Sequence, residues 1–154
     1  MEVTMKKRVF VSVTMLGLFL TLAGAPADAK SRGLVVATIP FQFIVGGKSL
    51  EPGRYAVRSV SNDVLLIQSK GRSSAMNLTS AISANKASAE TRLVFHRYGE
   101  RYFLSEVWTA GETSGHRLFK CRLERSLERE TAARPSNRLA RAGYDRVEIV
   151  GVLE

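Results

Sequence analysis

Residues 92–108, RLVFHRYGERYFLSEVW, constrain this chain more than any other stretch. Two runs rich in β-branched and aromatic residues flank Gly99-Glu100, and the segment holds the only Trp of the sequence. A two-residue connection with Gly first suits a type II′ hairpin turn, because the first central residue needs positive φ. That register sets Tyr98 opposite Arg101, Arg97 opposite Tyr102, His96 opposite Phe103 and Phe95 opposite Leu104. Unbroken alternation then puts Leu93, Phe95, Tyr102, Leu104 and Trp108 on one face, with Arg97 and Glu106 among them. The other face carries Val94, His96, Tyr98, Arg101, Phe103, Ser105 and Val107. Both faces are mixed, so the pair belongs inside a sheet and not at its edge. Arg97 and Glu106 read as a structural ion pair or as side chains snorkelling at a rim.

The N-terminal segment has a different composition. Lys6, Lys7 and Arg8 precede an apolar run over 9–22, and Ala27-Asp28-Ala29 supplies an A-x-A ending. This is the pattern of a secretory signal peptide over residues 1–29, cleaved after Ala29. The apolar run is shorter than the roughly 20 residues of a spanning helix, which argues against a membrane anchor. No Cys follows it, so a lipoprotein anchor has no support. The expectation is an exported protein, periplasmic or extracellular, with no membrane span in the mature chain.

Residues 30–154 keep 20 of 23 basic and 12 of 14 acidic residues, a balance of +8 dominated by Arg. Such a charge attracts anionic lipid, polysaccharide or nucleic acid, more weakly as salt rises. Export argues against nucleic acid, and an acidic envelope surface fits better. Cys121 is the only Cys, so no intrachain disulfide forms, and it reads as a small packed side chain in a helical pattern.

The remainder is turn-punctuated and β-like. Over 34–45, Ile39, Phe41, Phe43 and Val45 alternate onto one face before Gly46-Gly47. Glu51-Pro52-Gly53-Arg54 reads as a type II turn. Strands are expected over 54–60, with Tyr55 and Val57 on one side, over 64–69, and more weakly over 73–83. Residues 85–90 have loop composition. From Thr113 or Ser114 a charged helix is expected to about Ala133, with Phe119, Leu123 and Leu127 as a narrow apolar stripe. Pro135 ends it, and 134–154 reads as a flexible linker followed, over 147–153, by either a final strand at a sheet edge or a loose tail. The fold class is therefore mainly β: a small antiparallel barrel or sandwich over 30–112, then a charged amphipathic helix over 113–133.

With IPFQFIVGGKSLEPGRYAV at 39–57 and VFHRYGERYFLSEVW at 94–108 in order, the chain resembles a group of small secreted proteins found in Acidobacteria. Their pattern reads I-P-F-x-F-x-V-G-x-K-x-L-P-A-G-x-Y-x-V, then V-F-H-R-Y-G-x-x-Y-F-L-x-x-V-W, then a Glu/Arg-rich helix. This chain departs at Leu50-Glu51-Pro52-Gly53, where the Pro is displaced by one position. The resemblance implies an exported β-rich protein and assigns no catalytic residue.

Catalytic vocabulary is sparse. Two isolated His and one Cys give no cluster at metal-ligand spacing, and no G-x-S-x-G elbow is present. The sequence is expected to be non-catalytic and to need no cofactor. The first reading is an envelope protein that binds an unidentified partner, with Phe119, Leu123 and Leu127 as candidate contacts. The alternative is a barrel that carries a small apolar or anionic ligand. Its candidate contacts are Phe95, Tyr102, Leu104, Glu106 and Trp108, with Arg97 as the polar anchor.

Overall fold

The computed structural model describes residues 34–69, 74–133 and 143–154. The signal segment over 1–29 and the linker over 134–142 lie outside the described residues. In chain order the elements are β1 (Val35–Ile39), β2 (Phe43–Val45), β3 (Lys48–Leu50), β4 (Gly53–Ser61), β5 (Val64–Ser69) and β6 (Ser74–Ser83). There follow β7 (Arg92–Tyr98), β8 (Arg101–Trp108), β9 (Ser114–Leu118), α1 (Arg122–Ala133), β10 (Asp145–Val150) and β11 (Val152–Leu153).

The strands run side by side in the order β10-β7-β8-β9-β6-β5-β4-β1-β11, and every pair along this path is antiparallel. Its two ends belong to one stretch of chain. β10 pairs with β7 and β11 pairs with β1, with only Gly151 between them, so the sheet returns on itself as a barrel. Short antiparallel connections explain most of the order. The β2–β3 hairpin turns on Gly46 and Gly47, both at positive φ, and β2 adds in parallel to the start of β8.

Alternation fills the interior. Ile39, Phe43, Val45, Leu50, Val57, Ile67, Leu93 and Phe95 are each less than 2 % exposed and belong to one core cluster. Aromatic rings link up inside it. Phe43 stands edge-on to Tyr55 and Phe95 at 5.0 and 5.6 Å, Phe41 stands edge-on to Phe95 at 5.3 Å, and Phe41 stacks on Tyr102 at 3.9 Å. Each such contact adds about 0.5–1.5 kcal/mol beyond the area it buries. The IPFQF stretch is thus where two rings enter the barrel from one short segment.

The structure corrects four local expectations. Residues 34–45 form two strands, because Pro40 has no N–H for the ladder and the chain breaks there. Gly53 lacks the positive φ of a type II turn and instead opens β4 opposite Ile39. Residues 114–118 are a strand and not the first turns of a helix, since β9 can pair with both β6 and β8, and ladder formation outweighs weak helix propensity. Cys121 therefore precedes α1 and caps it: the Glu124 amide donates to its Sγ at 3.5 Å. The tail strand does form, as β10 and β11, and belongs to the barrel.

Gly115 shows how tightly β9 is fitted. A Cβ there would lie 2.8 Å from the Trp108 ring and 3.0 Å from the Val107 carbonyl oxygen. Gly115→Val is expected to lower stability by about 1–3 kcal/mol through overpacking, read as a lower midpoint in urea unfolding. An unchanged midpoint would show that the Trp108 ring can move aside freely.

Candidate functional site

The hairpin turn forms in the expected register: Gly99 has φ +62°, and Tyr98–Arg101, Arg97–Tyr102, His96–Phe103 and Phe95–Leu104 are all paired. Beyond Leu104 the register shifts. Val94 pairs with Glu106, which leaves Ser105 as an extra residue in β8. Such a bulge re-aims the side chains that follow it. Val107 therefore joins the interior, while Glu106 and Trp108 leave the face of Phe95, Tyr102 and Leu104 for the outer one.

This separates the six candidate ligand contacts. Phe95 and Leu104 are core residues, and Tyr102 packs against that core. Arg97 donates from Nη2 to Asp145 of β10 at 2.9 Å, far from the expected pairing with Glu106. Phe95, Tyr102 and Leu104 stay together inside, while Glu106 and Trp108 stay together on the outside of the barrel. The signal that could have announced this is a bulge, which strict alternation cannot register.

Glu106 is buried and held by three residues from three strands. Trp108 Nε1 donates to Oε2 at 2.9 Å, and Arg117 of β9 donates from Nε and Nη2 to Oε1 at 3.2 and 2.9 Å. Arg146 of β10 brings Nη2 to 3.7 Å from Oε2. Burial alone pushes this carboxyl up. The hydrogen bonds from Trp108 and Arg117, with the charges of Arg117 and Arg146, outweigh it and hold Glu106 below the ordinary carboxylate range.

Around Glu106 lies a groove of about 440 Å³, lined by Ser80, His96, Ser105, Arg117, Lys120, Tyr144 and Arg146, with Leu118 and Phe119. His96 stacks on Tyr144 at 3.8 Å and presents Nδ1 to Glu124 Oε1 at 3.2 Å, both side chains being buried. Glu124 is the buried residue of α1, so this helix docks on β7 through a polar contact. Beside it the Tyr98 hydroxyl is buried without a partner among the described residues. Burial raises its ionisation well above the ordinary tyrosine value, and the carboxylates of Glu124 and Glu128 add to this. The apolar stripe is not what docks the helix: Phe119, at the rim of the groove, is 58 % and Leu123 39 % exposed, while Leu127 is half-buried.

The surplus of positive charge is not spread over the barrel. Of the +8 in residues 30–154, +7 is carried by residues 30–33, 70–73 and 134–142 of the sequence. Among the described residues no group of three or more His, Cys, Asp or Glu is arranged to hold a metal ion. Nor is any helix among them long and apolar enough to cross a membrane. Compared with known proteins, the chain matches no family model, and no curated protein or solved structure is significantly similar to it. The geometry of this outer face must therefore carry the functional argument.

Two outcomes follow from these contacts. Because the folded Glu106 pKa is depressed, its contribution is present in full above the ordinary value near 4.5 and is lost as pH falls through the folded value. Thermal melts from neutral to acid pH should show stability falling on acidification, and Glu106→Gln should flatten part of that fall while lowering the melting point at pH 7. A variant with the same acid slope as the parent would contradict this. Separately, Glu124→Ala leaves His96 buried without its acceptor and should cost about 1–3 kcal/mol. Amide exchange should then speed up over residues 122–133 and stay slow in β7. Unchanged protection of the helix would mean that another contact docks it.

Proposed function

We propose that this chain is an exported, non-catalytic binding module of the cell envelope that docks a partner protein on the outside of its barrel. One observation carries this reading. The interior is occupied by the protein's own rings and aliphatic chains, while large apolar side chains are left outside. Phe119, just before α1, and Leu123, in its first turn, are exposed, and so are Met76 and Leu78 of β6. The Phe119 amide donates to the Leu78 carbonyl, so these two apolar side chains belong to adjacent backbone. Grouped apolar exposure of this kind marks interaction surfaces.

An interior ligand would have to displace the stacked Phe41 and Tyr102 and the edge-on Phe43 and Phe95. This packing favours docking outside over carriage inside. Export through residues 1–29 and the balance of +8 make an envelope partner the natural one.

The test is site-specific photo-crosslinking in an exporting host, with a photoreactive residue at 119, 123 or, as an exposed control, 112. Discrete adducts are expected at 119 and 123 and absent at 112, and Phe119→Ser with Leu123→Ser should abolish capture at a neighbouring site without lowering the melting point. No adduct at either apolar position would sink the reading. A small molecule retained by the parent in native mass spectrometry would replace it with the carrier. N-terminal sequencing of the exported product should begin at Lys30.

A further inference from the structure

The groove over Glu106 has a chemistry that protein docking on Phe119 and Leu123 does not use. Its lining is rich in donors. Ser80, Ser105 and Tyr144 bring hydroxyls, Arg117 and Arg146 guanidiniums and Lys120 an ammonium. Against these stands one carboxylate, Glu106, whose oxygens already accept from Trp108 and Arg117. A ligand entering here meets donors and must itself be rich in acceptors.

Glu106 also fixes how those donors point. With Nε and Nη2 of Arg117 both on Oε1, the guanidinium plane is set, and among the described residues Nη1 has no partner. The Arg117 side chain is nonetheless 56 % exposed, so its free edge is open to solvent. Arg146 is shared between Glu106 and Glu148, and Glu148 also faces Arg92 at 3.7 Å. Three guanidiniums on two carboxylates leave one positive charge over. Lys120 is matched by Glu128, and Glu124 is turned to His96 and does not line the groove. One anionic group is therefore the complement this network lacks, and the planar fork of Arg117 suits a carboxylate.

The remaining features select what carries that carboxylate. The Tyr144 ring is stacked on His96 and has Lys120 Nζ 5.8 Å from its centroid, so it is only half-exposed, and Phe119 stands exposed at the rim; two rings thus border a polar floor. A pyranose offers apolar C–H faces to rings and hydroxyl acceptors to Ser80, Ser105 and Tyr144. A volume of about 440 Å³ holds one or two such rings and lies in the range of small-ligand sites.

We propose that this groove is a binding site for an acidic sugar, a pyranose bearing one carboxylate, with Arg117 as its carboxylate anchor and the Tyr144 and Phe119 rings at its border. This goes beyond the docking reading and shares only Phe119 with it: Leu123 does not line the groove, and the Arg117 anchor is present whether or not a protein is captured.

The test is titration of the isotope-labelled protein with sodium glucuronate, glucose and sodium acetate, followed by amide and Arg Nε–H chemical shifts and by Trp108 emission. Saturable shifts are expected with glucuronate at Ser105, Arg117 and Tyr144. Glucose should bind about tenfold more weakly, for loss of a charge-assisted hydrogen bond, and acetate weaker still. Arg117→Lys keeps the charge and loses the fork, so it should weaken glucuronate about tenfold. Because Arg117 also holds a buried carboxylate, Tyr144→Leu serves as a second variant, expected to weaken glucuronate and glucose alike and leave acetate unchanged. No saturable shift with glucuronate up to about 10 mM, a concentration that would reveal millimolar binding, overturns the proposal. So does equal binding of acetate, which would reduce the groove to a general anion contact, or shifts that fall outside the groove.

Discussion

The structure depends on one stretch of backbone, residues 145–153, pairing on both sides. β10 runs along β7 from Asp145↔Arg97 to Val150↔Arg92, and β11 runs along β1 at Val36↔Val152 and Val35↔Leu153. Without it β1 and β7 would be open edges with unpaired N–H and C=O groups, an invitation to aggregate. Gly151 makes the transfer possible. Its amide donates to the Thr91 carbonyl at 2.8 Å, and a Cβ would sit 3.1 Å from the Val36 carbonyl oxygen. The same stretch shapes the outer groove. Tyr144, just before it, lies on His96, and Arg146 within it reaches towards Glu106, so barrel closure and assembly of the groove go together.

The two sides of the β7–β8 hairpin do different work because of a single extra residue. Inside, Phe95 and Leu104 pack among rings and aliphatic chains, where the driving force is removal of apolar area from water. Outside, beyond the bulge at Ser105, a buried carboxylate is surrounded by an indole N–H and two guanidiniums. Burying a charge is costly unless partners satisfy it, so removal of any one partner is destabilising and Glu106 makes its neighbours strongly interdependent. It also organises Arg117 and Arg146 on the outer face.

The helix repeats that logic. Its buried side chain is Glu124, set against His96, and not the leucines of its apolar stripe. A helix docked this way relies on geometry and leaves Phe119 and Leu123 exposed. The protein thus presents two different outer surfaces near one another, an apolar one at the approach to α1 and a donor-rich groove beside it. The near-neutral described barrel and the basic segments of the sequence divide the charge in a similar way.

Much of the inner face was readable from local pattern. Gly99 at positive φ set the hairpin register for four residue pairs, and alternation put Tyr55 and Val57 of β4 and Phe43 and Val45 of β2 on the core side. Such features depend on residues two to four positions apart, and steric rules act over that distance whatever the rest of the chain does. The groove was not readable. Glu106 reached the outer face through a bulge, β9 became a strand because β8 and the more distant β6 were both free to pair with it, and the tail closed the barrel by pairing with residues about fifty and more than a hundred positions away. A carboxylate in the sequence does not announce whether it will meet an arginine eleven residues on. Local sequence determined the turns and which side chains could face inward; only the closed ladder decided which charges met outside, because those partners have no fixed separation along the chain.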